Sequence, residues 1–96
     1  MHASISTFHG DPDELLARYD AMLAVIPAAK MQLHLCARTD DGIIIIDTCP
    51  SLEAYLAFHG PDGPFRALLR EHGMPEPTVR DHPVHVAITG GLQVAA

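Results

Sequence analysis

Four consecutive isoleucines at residues 43–46 constrain the fold of this chain more than any other feature. They follow the turn sequence Thr-Asp-Asp-Gly at residues 39–42, and residues 31–38 before that turn alternate like a strand. Successive side chains of a strand point to opposite faces of its sheet, so an all-isoleucine strand is apolar on both faces. Strands of this kind are usually buried on both faces, and something must therefore cover each side.

The other elements follow from hydrophobic periodicity and from residues typical of helix ends. Asp11 is a suitable N-cap with Pro12 in the first turn behind it, and Ser51 is a suitable N-cap for a later helix. The predicted strands are residues 2–9, 31–38, 43–48 and 78–88, and the predicted helices lie within residues 10–27, 52–59 and 65–72.

This order predicts an α+β fold of the split βαβ or ferredoxin-like type, βαββαβ. Its four-stranded antiparallel sheet carries the helices on one face. A chain of 96 residues is long enough for one hydrophobic core. We therefore expect a single domain at residues 1–90 and a C-terminal tail at residues 91–96, released by Gly90 and Gly91.

The helices of this plan cover one face of the sheet and leave the other face bare. Ile44 and Ile46 are expected beneath the helices, so Ile43 and Ile45 would point outward. The bare face would form a larger apolar patch than monomers normally expose. A second copy of the chain, packed sheet against sheet around a two-fold axis, is the simplest cover. The pattern thus predicts a homodimer through the open sheet face.

Composition excludes several classes of partner. The net charge is −6, and six scattered Lys and Arg residues cannot form a nucleic-acid groove. No apolar run approaches the roughly 18 residues that a membrane span requires. The first residues lack a basic-then-apolar signal pattern, so we expect a cytoplasmic protein with Cys36 and Cys49 as free thiols. The alternative for the two cysteines is a disulfide across the hairpin.

Alternation also collects polar side chains on one face of the predicted sheet. His34 shares its side of the strand with Gln32, and Leu33 and Leu35 lie on the other side, expected beneath the helices. A two-residue turn at Asp41–Gly42 would place residue 36 opposite residue 47. We therefore predict an apolar cavity between the two subunits, with a few polar groups, as in small-ligand pockets. Its polar residues would be Ser4, Ser6, His34, Cys36, Arg38, Asp47 and His85.

These residue types suit acid–base chemistry. Histidine exchanges protons near neutral pH, so His34 or His85 is the candidate base. Asp47 would orient the imidazole, and Arg38 would bind an anionic group of the substrate. The alternative is that both histidines only satisfy hydrogen bonds within a dimer interface. The one local metal-like motif is H-x-C, far weaker than paired ligand motifs, and we expect no metal centre.

A second set of candidates lies around the second helix. His59 ends the predicted helix at residues 52–59, where a cation favours the helix dipole. Alternatively, Tyr55 and His59, one turn apart, border the cavity beside a Gly- and Pro-rich lid at residues 60–64.

The stretch RTDDGIIIIDTCPSLEAYLAF at residues 38–58 resembles the hairpin and following helix of the dimeric α+β barrel superfamily. That superfamily includes antibiotic-biosynthesis-monooxygenase-like proteins, haem-degrading monooxygenases and stress-responsive barrel cyclases. The resemblance covers nearly the whole chain through size and element order. It implies an aromatic or polyketide-like ligand held between sheet and helices. This position competes with the inter-sheet cavity, and Tyr55 and His59 belong to it.

The residues and the resemblance together leave three functions open, and whether the chain is an enzyme stays open with them. The first is a homodimer that binds an apolar or aromatic metabolite as a cofactor-independent monooxygenase- or cyclase-like enzyme. Its acid–base groups would come from His34, His59, His85 and Tyr55. The second is a non-catalytic ligand-binding or accessory dimer. The third is a haem-binding or haem-degrading protein, with His59 as the counterpart of the iron ligand.

Overall fold

A computed structural model describes residues 1–27 and 32–94 of the chain. The strands are β1 (His2–His9), β2 (His34–Thr39), β3 (Gly42–Cys49), β4 (Thr78–Pro83), β5 (Ala87–Thr89) and β6 (Leu92–Val94). The helices are α1 (Pro12–Leu23), α2 (Leu52–His59) and α3 (Pro64–Glu71). Ser51 caps α2 by accepting a hydrogen bond from the backbone N–H of Ala54, as the sequence predicts. The predicted start of the second strand at Met31 lies outside the described residues.

The predicted α+β class and four-stranded antiparallel sheet are confirmed. The strands lie in the order β2-β3-β1-β4, and each neighbouring pair is antiparallel. β1 pairs with β3 and β4, so it is a central strand, whereas β2 and β4 form the edges. Helix α1 packs on β2 and β3, and α2 packs on β3 and on α3.

The C-terminal part departs from the prediction of one strand at residues 78–88. Strand β4 ends at Pro83, whose ring nitrogen cannot donate a hydrogen bond to continue the ladder. Gly90 and Gly91 have φ of 59° and 80°, and this left-handed turn folds β5 against β6 as a separate hairpin. Residues 92–94, predicted as part of a tail, are therefore a strand. Residues 95–96 lie outside the described part of the chain.

The β2–β3 hairpin turns one residue earlier than predicted. Thr39 pairs with Gly42, so Asp40 and Asp41 form the loop, and His34 lies opposite Asp47. The expected pairing of residues 36 and 47 is thus wrong. Gly42 does not have a positive φ; instead, a Cβ at this position would lie 1.8 Å from the Phe8 carbonyl oxygen. Glycine is needed here because β3 approaches β1 closely, not because of the turn conformation.

The helices cover the opposite face of the sheet from the one predicted. Their side is the covered face, whose core is Phe8, Ile43 and Ile45, each at most 1 % exposed. Leu15, Tyr19 and Met22 of α1 pack onto this cluster. Phe8 pairs with Ile43 across β1 and β3, so the bulky ring and the two isoleucines make the continuous apolar surface that a helix requires. Five of the polar residues predicted between subunits therefore lie on the covered face: Ser4, Ser6, His34, Cys36 and Asp47.

The other side of the sheet, here called the open face, carries Ile5, Leu35, Ile44 and Ile46. Ile5 is 39 % exposed and Leu35 is 52 % exposed, and the two isoleucines of β3 are half-buried. Within residues 1–27 and 32–94, no helix is long and apolar enough to cross a membrane.

Candidate functional site

A cavity of about 320 Å³ lies between α1, α2 and the covered face; we call it the inner cavity. Most of its wall is apolar and comes from Met22, Ile45, Phe58 and Phe65 among others. Six polar residues also line it: Tyr19, His34, Asp47, Thr48, Cys49 and His59. Its size and composition resemble those of small-ligand sites, which are apolar with a few convergent polar groups.

Three of these residues form a hydrogen-bonded series, here called the proton chain: Tyr19, His34 and Asp47. The hydroxyl oxygen of Tyr19 lies 2.5 Å from His34 Nε2, and His34 Nδ1 is hydrogen-bonded to Asp47 Oδ1. The hairpin register sets His34 beside Asp47 on the covered face, and α1 lays Tyr19 over both. The two aromatic rings are nearly parallel, 9° apart, which fixes the orientation of the imidazole.

The protonation of Tyr19 defines the direction of these bonds. Burial raises the pKa of Tyr19 to about 12, and the nearby Cys36, Asp47 and Asp20 add to the effect. The hydroxyl therefore keeps its proton at neutral pH and donates it to His34 Nε2. His34 then carries its own proton on Nδ1 and donates it to Asp47. The proton chain thus holds the Tyr19 hydroxyl at the wall of the inner cavity, with its single proton directed to His34 Nε2.

His59 of α2 lines the inner cavity as well but has a different environment. Its side chain is only 8 % exposed and is enclosed by the rings of Tyr55, Phe58 and Phe65. Its Nδ1 has no hydrogen-bond partner among the described residues. Desolvation lowers the pKa of His59, and the negative charges of Asp47 and Asp81 only partly oppose this shift. A neutral imidazole in this setting is a base.

A row of polar side chains crosses the covered face beneath these groups. Ser4 of β1, 2 % exposed, lies between Asp47 on β3 and Asp81 on β4. Asp81 is 2.6 Å from His2 Nε2, and this hydrogen bond, with a second from Tyr55, lowers the pKa of Asp81. The row links the inner cavity to Tyr55, whose ring stacks on His59 at 4.7 Å.

The predicted site residues divide into two groups. Five predicted residues lie in or near the inner cavity, on the covered face or on α2: Ser4, His34, Asp47, Tyr55 and His59. Ser6 is buried in the next row, opposite Ile45, with its hydroxyl unpartnered among the described residues. Cys36 packs against the core beside Tyr19, and burial raises the pKa of its thiol.

Two of the predicted site residues, Arg38 and His85, lie outside the inner cavity. His85 lies in an exposed bend between β4 and β5, because the strand that would have turned it inward stops at Pro83. Arg38 lies at the far end of β2, exposed, where its Nη1 binds Asp13 Oδ1 at 2.6 Å. This ion pair joins the end of β2 to the first turn of α1.

Tyr19 and His2 are not among the predicted site residues, yet both belong to the hydrogen-bonded groups of the covered face. Tyr19 lies between Leu15 and Met22 on the apolar stripe of α1, a pattern typical of core residues. The signal for a polar role is that buried tyrosines usually find a partner for their hydroxyl. His2 shares its face with Ser4 and Ser6 by strict alternation along β1, and that signal is sufficient to place it there.

A second cavity, of about 250 Å³, lies on the other side of His59; we call it the outer cavity. It shares His59 and Phe65 with the inner cavity and is bounded by α3 and the linker at residues 74–77. Arg66, Arg70 and Glu76 also line it.

Across the described ranges, no group of three or more His, Cys, Asp or Glu is arranged to hold a metal ion. Cys36 and Cys49 are free thiols.

Comparison with models of known protein families, with curated proteins and with solved structures gave no match. The chemistry of the site is therefore the basis for the function proposed below.

Proposed function

We propose that the chain binds a small, largely apolar metabolite of aromatic size in the inner cavity and catalyses cofactor-independent proton transfer on it. The observation that carries this proposal is the pairing of two kinds of group in one apolar cavity. The proton chain positions the Tyr19 hydroxyl, which can turn its proton to a bound ligand, and His59 lines the same cavity with a neutral imidazole. An acid and a base facing one apolar site are the requirements for enolisation of a carbonyl compound.

The roles of the residues follow from their protonation states. The imidazole of His59 takes a proton from the carbon next to the carbonyl group, the electron pair of that C–H bond forms a carbon–carbon double bond, and the carbonyl π electrons move to its oxygen. The Tyr19 hydroxyl turns from His34 Nε2 to this oxygen and donates a hydrogen bond that stabilises the enolate, while His34 Nδ1 stays bonded to Asp47. Return of the proton from His59 to the same carbon gives hydrogen exchange, and its return to another carbon of a conjugated enolate completes an isomerisation. In a cyclisation the enolate carbon attacks a second carbonyl carbon of the same molecule, whose oxygen takes the proton from His59 as its π bond breaks.

The acid–base pair favours a cyclase- or lyase-like reaction over the monooxygenase-like alternative. Proton transfer needs only the groups that line the inner cavity. A non-catalytic ligand-binding protein, the other open alternative, has no need for a tyrosine oriented by a His–Asp pair.

We further propose that the subunit follows the ferredoxin-like plan and forms a homodimer of the dimeric α+β barrel type through the open face. The position of β3 between β1 and β2, and of β1 between β3 and β4, supports the split βαβ plan. The additional helix α3 and the β5–β6 hairpin extend it. Exposure of Ile5 and Leu35 supports an apolar contact with a second copy. Two free thiols support a cytoplasmic location.

Deuterium exchange into 2-tetralone, a bicyclic ketone with acidic C–H bonds beside its carbonyl, tests the proposed reaction. In D₂O we expect the protein to accelerate exchange over buffer. Because general acid–base groups contribute roughly 10²-fold or more, His59→Gln and Tyr19→Phe should each lose most of this acceleration. His34→Gln should lose it too, whereas His85→Gln, outside the cavity, should keep it.

Binding measured by NMR line broadening of the ketone separates two ways in which the proposal can fail. Binding without accelerated exchange would indicate a non-catalytic ligand-binding protein. Failure of the ketone to bind at all would contradict the ligand class.

A further inference from the structure

Charge is distributed unequally between the two cavities. The inner cavity contains the carboxylate of Asp47, and Asp81 lies close enough to act on His59. The outer cavity is lined by two guanidinium groups, Arg66 and Arg70, which lie one turn apart on α3. In a chain of net charge −6, this concentration of positive charge at one cavity is unusual.

The other described arginines are engaged elsewhere. Arg18 donates hydrogen bonds to Glu14 and to the carbonyl oxygen of Gly73, and Arg38 binds Asp13. Arg80 pairs with Ile5 across β4 and β1 and so belongs to the open face. At the outer cavity, Arg66 has only a loose contact with Glu76, 3.7 Å apart. The arginines of α3 are thus the cationic groups that a ligand in the outer cavity would meet.

His59 and Phe65 line both cavities and so form the wall between them. A ligand that reaches both cavities must pass beside these two rings. His59, 8 % exposed and without a partner for Nδ1 among the described residues, lies at this junction.

We propose that the outer cavity binds the carboxylate of an amphipathic ligand whose apolar body lies in the inner cavity. The substrate class is then an aryl or alkyl carboxylic acid, held by Arg66 and Arg70. This inference rests on the proposed function, because it assumes that the inner cavity receives the apolar part. Planar guanidinium groups are well suited to carboxylates, with which they form charge-assisted hydrogen bonds.

The charges also define one orientation of the ligand. A carboxylate placed in the inner cavity would face Asp47 and lose its water, and both effects are unfavourable. The reverse orientation leaves the carboxylate at the solvent-facing arginines and the apolar body against Met22, Phe58 and Phe65.

Isothermal titration calorimetry with a matched pair of probes tests this inference. The probes are 2-naphthylacetate and its neutral amide, and the measured quantity is the dissociation constant of each. We expect the acid to bind about tenfold more tightly than the amide, as charge-assisted bonds at a partly solvated site allow. Arg66→Gln combined with Arg70→Gln should remove that difference, because it weakens binding of the acid far more than binding of the amide. Glu76→Gln removes a competing carboxylate and should tighten acid binding by about twofold.

The control is Arg80→Gln, which changes the net charge by one unit on the open face. Arg80→Gln should leave the acid-to-amide ratio unchanged, whereas the single variant Arg70→Gln, with the same change in net charge, should lower it. Equal losses in these two variants would mean that only the overall charge matters, and the proposed carboxylate site would be wrong. Equal affinity of acid and amide for the unchanged protein would also overturn it, while the apolar site in the inner cavity would stand. If neither probe binds, both this inference and the proposed ligand class fail.

Discussion

The proposed function rests mostly on single buried polar side chains. Alternation along the strands predicted the positions of some of these side chains and not of others. Alternation correctly placed Ser4, His34 and Asp47 on one face of the sheet, because side-chain parity depends only on the chain. Which face the helices cover depends on how bulky groups such as Phe8 pack, and the isoleucine run fits either side equally well. The Tyr19–His34 bond joins a helix to a strand and has no signature in sequence spacing.

Burial of His59 predicts a pH-dependent stability. Its pKa is lowered in the folded protein, so below about pH 6.5 the unfolded chain binds a proton that the folded chain does not. The stabilisation from the neutral imidazole is therefore complete above that pH and is lost as the pH falls towards the lowered pKa. We expect the free energy of unfolding to decrease there by up to about 1.4 kcal/mol per pH unit from this group.

Urea denaturation between pH 5 and 7.5 measures the effect as a difference between variants, which cancels the contributions of the other histidines. His59→Phe, whose ring suits the surrounding aromatic side chains, should flatten the pH dependence relative to the unchanged protein. The same substitution at exposed His85 should leave the dependence as it was. Identical profiles for the unchanged protein and His59→Phe would contradict the desolvated, neutral imidazole.

At the scale of elements, helix boundaries were predictable and the hairpin register was not. Residues 52–59 were predicted as a helix and are one, since the Ser51 cap and the break at Gly60 are local signals. The register of β2 against β3 depends on which two residues form the loop. Gly42 suggested a turn residue, yet its role is to let β3 lie against β1, a tertiary contact that the sequence does not report.

The substitution Gly42→Ala tests that role. A Cβ 1.8 Å from the Phe8 carbonyl oxygen meets backbone, which cannot move aside as a side chain can. We expect a loss of about 3 kcal/mol or more in the free energy of unfolding, because β1 and β3 must separate locally. Gly90→Ala is the comparison: its φ is 59° but no atom lies within 4 Å, so only about 1 kcal/mol should be lost. Equal losses in chemical denaturation would contradict the close-approach explanation.

For the molecule as a whole, the open face is a sheet surface that the helices do not cover and that exposes Ile5 and Leu35. The isoleucine run, apolar on both sides of β3, predicted such a face. This prediction does not depend on which side of the sheet the helices cover. The C-terminal hairpin was missed because Gly90 and Gly91 were interpreted as the release of a tail, although two adjacent glycines also suit a tight turn.

A charge on the open face tests the proposed homodimer. Light scattering of the unchanged protein at micromolar concentration should give twice the chain mass. Leu35→Glu, at a side chain 52 % exposed on β2, should give the monomer mass, because a buried unpaired carboxylate is costly in an apolar contact. Leu56→Glu, at a side chain 55 % exposed on the outside of α2, should leave the dimer intact. A monomer mass for the unchanged protein would contradict the sheet-to-sheet contact.

The two walls of the inner cavity come from different parts of the chain, and this has a practical consequence for protein engineering. His34 and Asp47 are fixed by strand pairing, whereas Phe58 and Phe65, which bound the cavity opposite them, belong to α2 and α3. Combinatorial libraries at the two phenylalanines would therefore change the shape of the inner cavity without disturbing the strand register that holds the imidazole and the carboxylate together. Because the same two rings enclose His59, such libraries would also vary the desolvation that lowers the pKa of its imidazole.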